Sequence, residues 1–249
     1  GWFIVGAGAL AVFSSGPGQS YVFAIFIDSI IFDTGLSRSG ISTLFMASTA
    51  ASALMVSIVS RMADRFGPRA MLVVVGCALP AACLGMATAT NRILFYLAFA
   101  SLRAIGQGSL PINATLLVNQ WFISRRGLAI AIMGLGMVLS NAVLPSLARF
   151  LIDHIGWREA YVLLGIMAMV LVVPPALLFV RNRPEDIGLF PDGKPYPPPV
   201  EAQQSEAGPD EDGRVFSSPT FWLLGLPLAT PGLIMTALMF HQTSIFVES

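Results

Sequence analysis

The sequence predicts an all-α membrane protein in which six spans form two inverted copies of a three-helix unit, followed by the first helix of a second bundle. Two observations carry this. Hydrophobic residues make up 55% of the 249 residues and charged residues 11%, with a mean hydropathy of +0.74, whereas a soluble domain spends about a quarter of its residues on charge. The skeleton DxxGxR also occurs twice, as Asp64-Arg65-Phe66-Gly67-Pro68-Arg69 and as Asp153-His154-Ile155-Gly156-Trp157-Arg158, with three apolar segments between the copies. An odd number of crossings puts the two loops on opposite sides of a bilayer. The second copy therefore enters upside down, as in the inverted repeats of many secondary transporters.

A span needs ~20 apolar residues to cross ~30 Å of hydrocarbon, and such windows fall near 2–27, 39–60, 70–90, 93–118, 128–150, 159–180 and 219–247. The first is too long for a cleavable signal and is followed by further spans. Gly16-Pro17-Gly18 interrupts its middle, which removes a backbone hydrogen bond and kinks the helix. Cys77 and Cys83 lie inside the third span, face different directions and read as packing residues. The fifth carries Ala129, Ala131, Gly134, Gly136, Ser140 and Asn141, whose small side chains let helices approach closely.

Between the sixth and seventh spans, 181–218 holds seven prolines and the acids Glu201, Glu206, Asp210, Glu211 and Asp212. It reads as a cytoplasmic linker with an extended polyproline piece at 197–199. The expected organisation is a bundle over 1–180, the linker over 181–218, and over 219–249 the seventh helix, which starts a C-terminal bundle. Because the chain begins at Gly1 and stops as the seventh span ends, it is expected to be a fragment.

Orientation follows the basic residues. With the first repeat loop inside, nine lie on inner segments (Arg61, Arg65, Arg69, Arg125, Arg126, Arg181, Arg183, Lys194, Arg214) and four on outer ones (Arg38, Arg92, Arg149, Arg158). That bias places the N-terminus in the cytoplasm of a multi-pass inner or plasma membrane protein. No basic stripe suggests nucleic acid, no Cys/His spacing suggests a metal, and no nucleophile, base and acid come together by motif. An enzyme is not expected, nor a cofactor.

Arg103 is the eleventh residue of its span, ~15 Å deep. A charge there costs at least ~2.5 kcal/mol, so it must face a cavity or a partner. Two readings stand: Arg103 and Gln107, with Asn113 on the same half of the helix, line an anion pathway suited to a planar guanidinium fork, or Arg103 holds backbone carbonyls of a neighbouring helix. Ser15 and Gln19 flank the first-span break and either join substrate there or are satisfied by packing. His241 in the seventh span touches substrate or protons, or is structural. Asp64, Arg65, Gly67 and Arg69 read as a conformational latch, the acid pairing locally or accepting from a facing helix, or as a tight turn with topology-setting charges.

The run Ser60 to Arg69 resembles the signature loop between the second and third helices of the major facilitator superfamily, with Asp64, Arg65, Gly67 and Arg69 matching and Ser60 and Pro68 departing from it. Arg103-Ala104-Ile105-Gly106-Gln107-Gly108 resembles that superfamily's fourth-helix arginine motif. Asn119 to Phe122, Arg125 to Ala129, Gly156-Trp157-Arg158 and Arg183 to Gly188 resemble its monocarboxylate transporter and oxalate/formate antiporter branch. The resemblance implies a facilitator-type fold of two six-helix bundles rocking about a central site, and a carrier of a small organic anion with a coupled proton or counter-anion. Its partners are then the lipid bilayer, the anion and the C-terminal bundle of the same chain. A non-transporting solute receptor and a carrier of a non-carboxylate solute are the alternatives.

Overall fold

The computed structural model describes residues 1–193, 218–225, 227, 230–232 and 234. The chain divides into two compact units, Gly1–Pro197 and Pro198–Ser249. In the second, residues 219–225 are helical, the beginning of the expected seventh span; His241 and the polyproline piece lie outside the described residues.

Among its described residues the first unit holds six helices long and apolar enough to cross a membrane. The first span is α1 (Trp2–Ser14), a 3₁₀ turn (Gly16–Gly18) and α2 (Ser20–Thr34). Then come α3 (Arg38–Phe66) and α4 (Pro68–Thr88). The fourth span is α5 (Arg92–Leu102), a π-helical segment (Arg103–Ser109) and α6 (Leu110–Trp121). The set closes with α7 (Arg126–Ile155) and α8 (Trp157–Leu178). Each copy is thus a broken helix, a long helix and a third helix joined through one glycine.

Those glycines explain where the structure departs from the expected boundaries. The hexapeptide expected as a loop is mostly helix: α3 continues through Phe66, Gly67 alone is non-helical (φ 83°, ψ 154°), and α4 starts at Pro68. Gly156 repeats this between α7 and α8 (φ 90°, ψ 161°). Only glycine takes such a φ without penalty, and a proline at the first helical position is already set for the next helix. The first span runs to Thr34 rather than 27, ending at Gly35 (φ 67°), so Asp28 and Asp33 ride on its last two turns.

The copies interlock. α4 packs along α8, α1 and α2 pack on α7, and reciprocally α5 and the π segment pack on α3. At the start of α4, the Arg69 guanidinium donates to the carbonyls of Ala176 (3.3 Å) and Leu177 (2.8 Å), the last turn of α8. At the start of α8, Arg158 donates to the carbonyls of Ala87 and Ala89, where α4 ends. Each arginine satisfies carbonyls that have no partner in their own helix and meets the negative end of that helix's dipole. Two helices that cap each other in this way run antiparallel, so Gly67 and Gly156 sit at opposite ends of the bundle.

Arg158 also reaches Asp33 Oδ2 through Nε (3.1 Å) and Nη2 (2.9 Å), and Trp157 Nε1 donates to the same oxygen (3.2 Å). This ties the end of the first span to α4 and α8. On the other side α7 meets α1 closely: a Cβ on Gly136 would lie 2.2 Å from the Ala9 carbonyl oxygen, and Ser140 Oγ donates to the Phe13 carbonyl (2.8 Å).

Candidate functional site

The two broken spans touch at their breaks. A Cβ on Gly18 would stand 2.3 Å from the Leu102 carbonyl oxygen and 2.9 Å from both the Gln107 nitrogen and the Gly106 Cα. A Cβ on Gly106 would meet Gly18 Cα at 2.9 Å and the Ser15 carbonyl oxygen at 3.1 Å. Backbone lies on backbone, which requires glycine on both sides. The π segment has a local cause in Pro111, which lacks an N–H and whose ring would clash with the Gln107 carbonyl in a regular helix. Widening the turn relieves that clash: the Leu110 N–H reaches the Ile105 carbonyl, and Ser109 Oγ occupies the Ala104 carbonyl at 2.7 Å.

Arg103 opens this segment. It is 5% exposed; Nη1 donates to Ser20 Oγ at 3.0 Å, and the guanidinium carbon lies 4.4 Å above the Phe45 ring. Nε is buried without a hydrogen-bond partner. The ion pairs among the described residues are Arg38–Asp28, Arg149–Asp153 and Arg158–Asp33, so none compensates Arg103. A desolvated cation–π contact contributes ~2 kcal/mol and a hydrogen bond from a charged donor ~1.5–3 kcal/mol. Burying an ion costs several kcal/mol, about what these two contacts contribute together, yet Nε is left without a hydrogen bond. An anion beside Nε would satisfy it.

The other expected pathway residues divide. Gln107 is half-buried, and its amide has no hydrogen-bond partner among the described residues. Asn113 is fully buried; its NH₂ donates to the Ser109 carbonyl (2.8 Å) while Oδ1 is unpartnered. Ser15 and Gln19 bond within the break: Ser15 Oγ donates to the Val12 carbonyl (2.7 Å), and Gln19 Nε2 donates to Ser15 Oγ (3.1 Å). Tyr21 turns to α7, its hydroxyl 2.7 Å from Ser140 Oγ. The structure thus gathers Arg103, Gln107, Ser15 and Gln19 at one crossing. It adds Ser20 and Phe45, which the sequence analysis missed. Ser20 follows Gln19 at the break and was findable; Phe45 is one of 17 phenylalanines and carried no signal.

The expected latch residues also divide. Gly67 and Arg69 are engaged, the Arg69 backbone N–H donating to Asn182 Oδ1 at 2.9 Å, with Asn182 packed where a Gly67 side chain would stand. Asp64 is exposed and pairs with none of Arg61, Arg65 or Arg69, and Arg65 lies 5.5 Å from the centre of the Phe66 ring.

From Arg181 to Asp192 the chain stays on the bundle. Trp121 Nε1 donates to the Arg181 carbonyl (3.0 Å), and Asp192 accepts from the Ser124 backbone (2.9 Å), its hydroxyl (2.8 Å) and the Arg125 backbone (3.4 Å). Burial alone raises the Asp192 carboxyl, but these hydrogen bonds outweigh it and hold the group below its usual range.

Comparison with known proteins places these features in a family. The sequence profile of the Major Facilitator Superfamily matches residues 8–248. A probable sulfoacetate transporter, SauU of Cupriavidus necator, is 28% identical over 55% of this chain and 32% of its own. The multidrug resistance protein B homolog of Mycobacterium tuberculosis is 28% identical over 63% of this chain and 29% of its own. Monocarboxylate transporter 13 of Bos taurus is 30% identical over 51% of this chain and 30% of its own. In each case the match spans about a third of the relative's length.

Proposed function

The chain belongs to the Major Facilitator Superfamily, and from that premise we propose that it is part of a secondary active transporter that moves a small organic anion, a monocarboxylate in the first instance, by alternating access. The observation that carries the anion is Arg103: a guanidinium 5% exposed, without a carboxylate among the described residues and with Nε unpartnered, at a crossing of two broken helices. Broken helices in transporters bring polar groups to substrate at mid-depth, and a fork of N–H donors suits a carboxylate or sulfonate. Two relatives carry names that point to organic anions, sulfoacetate and monocarboxylate, which supports the same class.

In this reading Arg103 anchors the anion, Ser20 and Phe45 position the guanidinium, and Gln107 contributes its free amide. Ser15 and Gln19 keep the break in shape, Asn113 stands further along the path, and His241 of the expected seventh span takes part in substrate or proton contact. The C-terminal bundle supplies the opposite wall, and a proton or counter-anion is coupled to the movement. The distribution of basic residues supports a cytoplasmic N-terminus in the cell membrane. Asp64, Arg65, Gly67 and Arg69 form the latch: Arg69 and Gly67 fix the turn to α8, which leaves the exposed Asp64 for a contact outside this bundle.

The multidrug relative favours a second reading, a carrier of a non-carboxylate solute; a receptor that binds solute without moving it is the third. Full-length protein in vesicles, offered a panel of small carboxylates, sulfonates and organic cations, separates them. Saturable anion uptake that falls at least tenfold in Arg103→Ala, with Phe45→Leu raising KM, supports the proposal. Uptake unchanged in Arg103→Ala removes Arg103 from the site, preference for cations supports the second reading, and binding without counterflow supports the third.

A further inference from the structure

We propose that the surface between α1 and α8 holds an anionic phospholipid, with one acyl chain in an apolar slot and the phosphate on Arg126 and Arg181. The slot has a volume of 530 Å³ and is lined by Trp2, Phe3, Gly6, Leu10, Pro175 and Phe179. Phe3 is 81% exposed, and nothing stands within 4 Å of where a Gly6 Cβ would be, so the slot is open on its outer side. Its volume would take little more than one turn of a helix about 10 Å across, but it suits a single hydrocarbon chain.

The charge at its end selects the headgroup. Trp2 packs on Phe122 with ring centroids 5.2 Å apart, and the Phe122 carbonyl accepts from Arg126 Nε (3.2 Å). Phe3 stacks on Phe179 (6.5 Å), two residues before Arg181, whose own carbonyl holds the Trp121 indole (3.0 Å). Trp121 and Phe122 are adjacent, so Arg126 and the Arg181 backbone both lie by the end of the slot where Trp2 packs. Among the described residues neither forms an ion pair. Their side chains bond only backbone carbonyls, those of Phe122 and Asn119 for Arg126 and that of Val180 for Arg181. Here α1 begins and α8 ends, the depth at which spans of this length meet the headgroups. Neither cation has an anionic partner among the described residues, and a phosphate tethered to a chain in the slot would provide one. A zwitterionic headgroup would bring its own cation and gain less. The inference needs only the membrane-spanning fold and is independent of which solute is carried.

The test uses the full-length protein purified in detergent and titrated with phosphatidylglycerol or phosphatidylcholine, each brominated on the acyl chains so that a chain in the slot quenches Trp2. Saturable quenching is expected, with phosphatidylglycerol binding about thirtyfold more tightly, the advantage two arginines give at an anionic surface. Trp2→Phe should remove the saturable component, and Gly6→Phe, which fills the slot, should abolish it. Arg126→Gln with Arg181→Gln should keep the quenching but bring the two lipids to equal affinity. Equal affinity in the unaltered protein, or a preference that survives the double substitution, overturns the proposal. So does the absence of saturable quenching, or a cross-link from the slot to a second copy or to another segment of the chain.

Discussion

Replacing Gly18 by alanine tests the crossing on which the candidate site is built. Gly18 has an ordinary negative φ, so its backbone tolerates a side chain and any loss must come from space. The added methyl would lie 2.3 Å from the Leu102 carbonyl oxygen and 2.9 Å from the Gln107 nitrogen and the Gly106 Cα. All are backbone atoms within a packed span, and no flexible side chain can give way. Overpacking costs ~1–3 kcal/mol, and this site belongs at the upper end; at about 2–4 °C per kcal/mol for a unit of this size, the melting temperature in detergent should drop by about 6–12 °C. Gly106→Ala should behave alike, and because both methyls would force the same two backbones apart, the double variant should cost less than the sum. Gly134→Ala is the control, since nothing lies within 4 Å of its Cβ position and alanine favours helix. If Gly18→Ala melts within a degree of that control, the two breaks do not meet.

Three further outcomes are expected. Arg158→Ala should destabilise by about 1–2 kcal/mol and more than Arg69→Ala, because Arg158 caps α4 and also pairs with the half-exposed Asp33; lysine lacks the fork and should recover little in the same melting assay. Asp192 is a carboxyl held below its ordinary value, so its docking contribution is present above the unfolded pKa of about 4 and disappears as pH falls through the lower folded value. Amide protection over 186–193, taken relative to the intrinsic exchange rate at each pH, should therefore be high at pH 7 and lost in strong acid, and low at both in Asp192→Asn; protection in that variant at pH 7 would refute the carboxylate's role. Single cysteines at Phe66→Cys and Ile155→Cys should be labelled from opposite sides of the membrane, and labelling from one side would break the inverted repeat.

Much of this was legible in the sequence because lipid imposes it. Span number and rough limits follow from the length of apolar chain that crosses hydrocarbon, and the doubled DxxGxR with three spans between its copies gave the inversion. The glycine and arginine of each copy have a local logic, a φ open to glycine followed by a cation at a helix start, and the structure keeps both. Arg103 was visible because a charge at that depth is rare.

What stayed hidden depends on partners distant in the chain. That Arg69 and Arg158 cap each other's helices, that Asp33 joins three spans, that Asn182 fills the space beside Gly67 and that Phe45 lies under Arg103 all involve residues 58 or more positions apart. The phase of the fourth span was hidden too, since a π segment adds width that a regular 100° step does not contain. Hydrophobic period and motif spacing thus determined the number of spans among the described residues, their rough limits and the inversion, because those are properties of a chain meeting a bilayer. Only tertiary packing decided which buried polar groups find a partner and which, like the Arg103 Nε, find none among the described residues, because a hydrogen bond is settled by where two atoms stand in space.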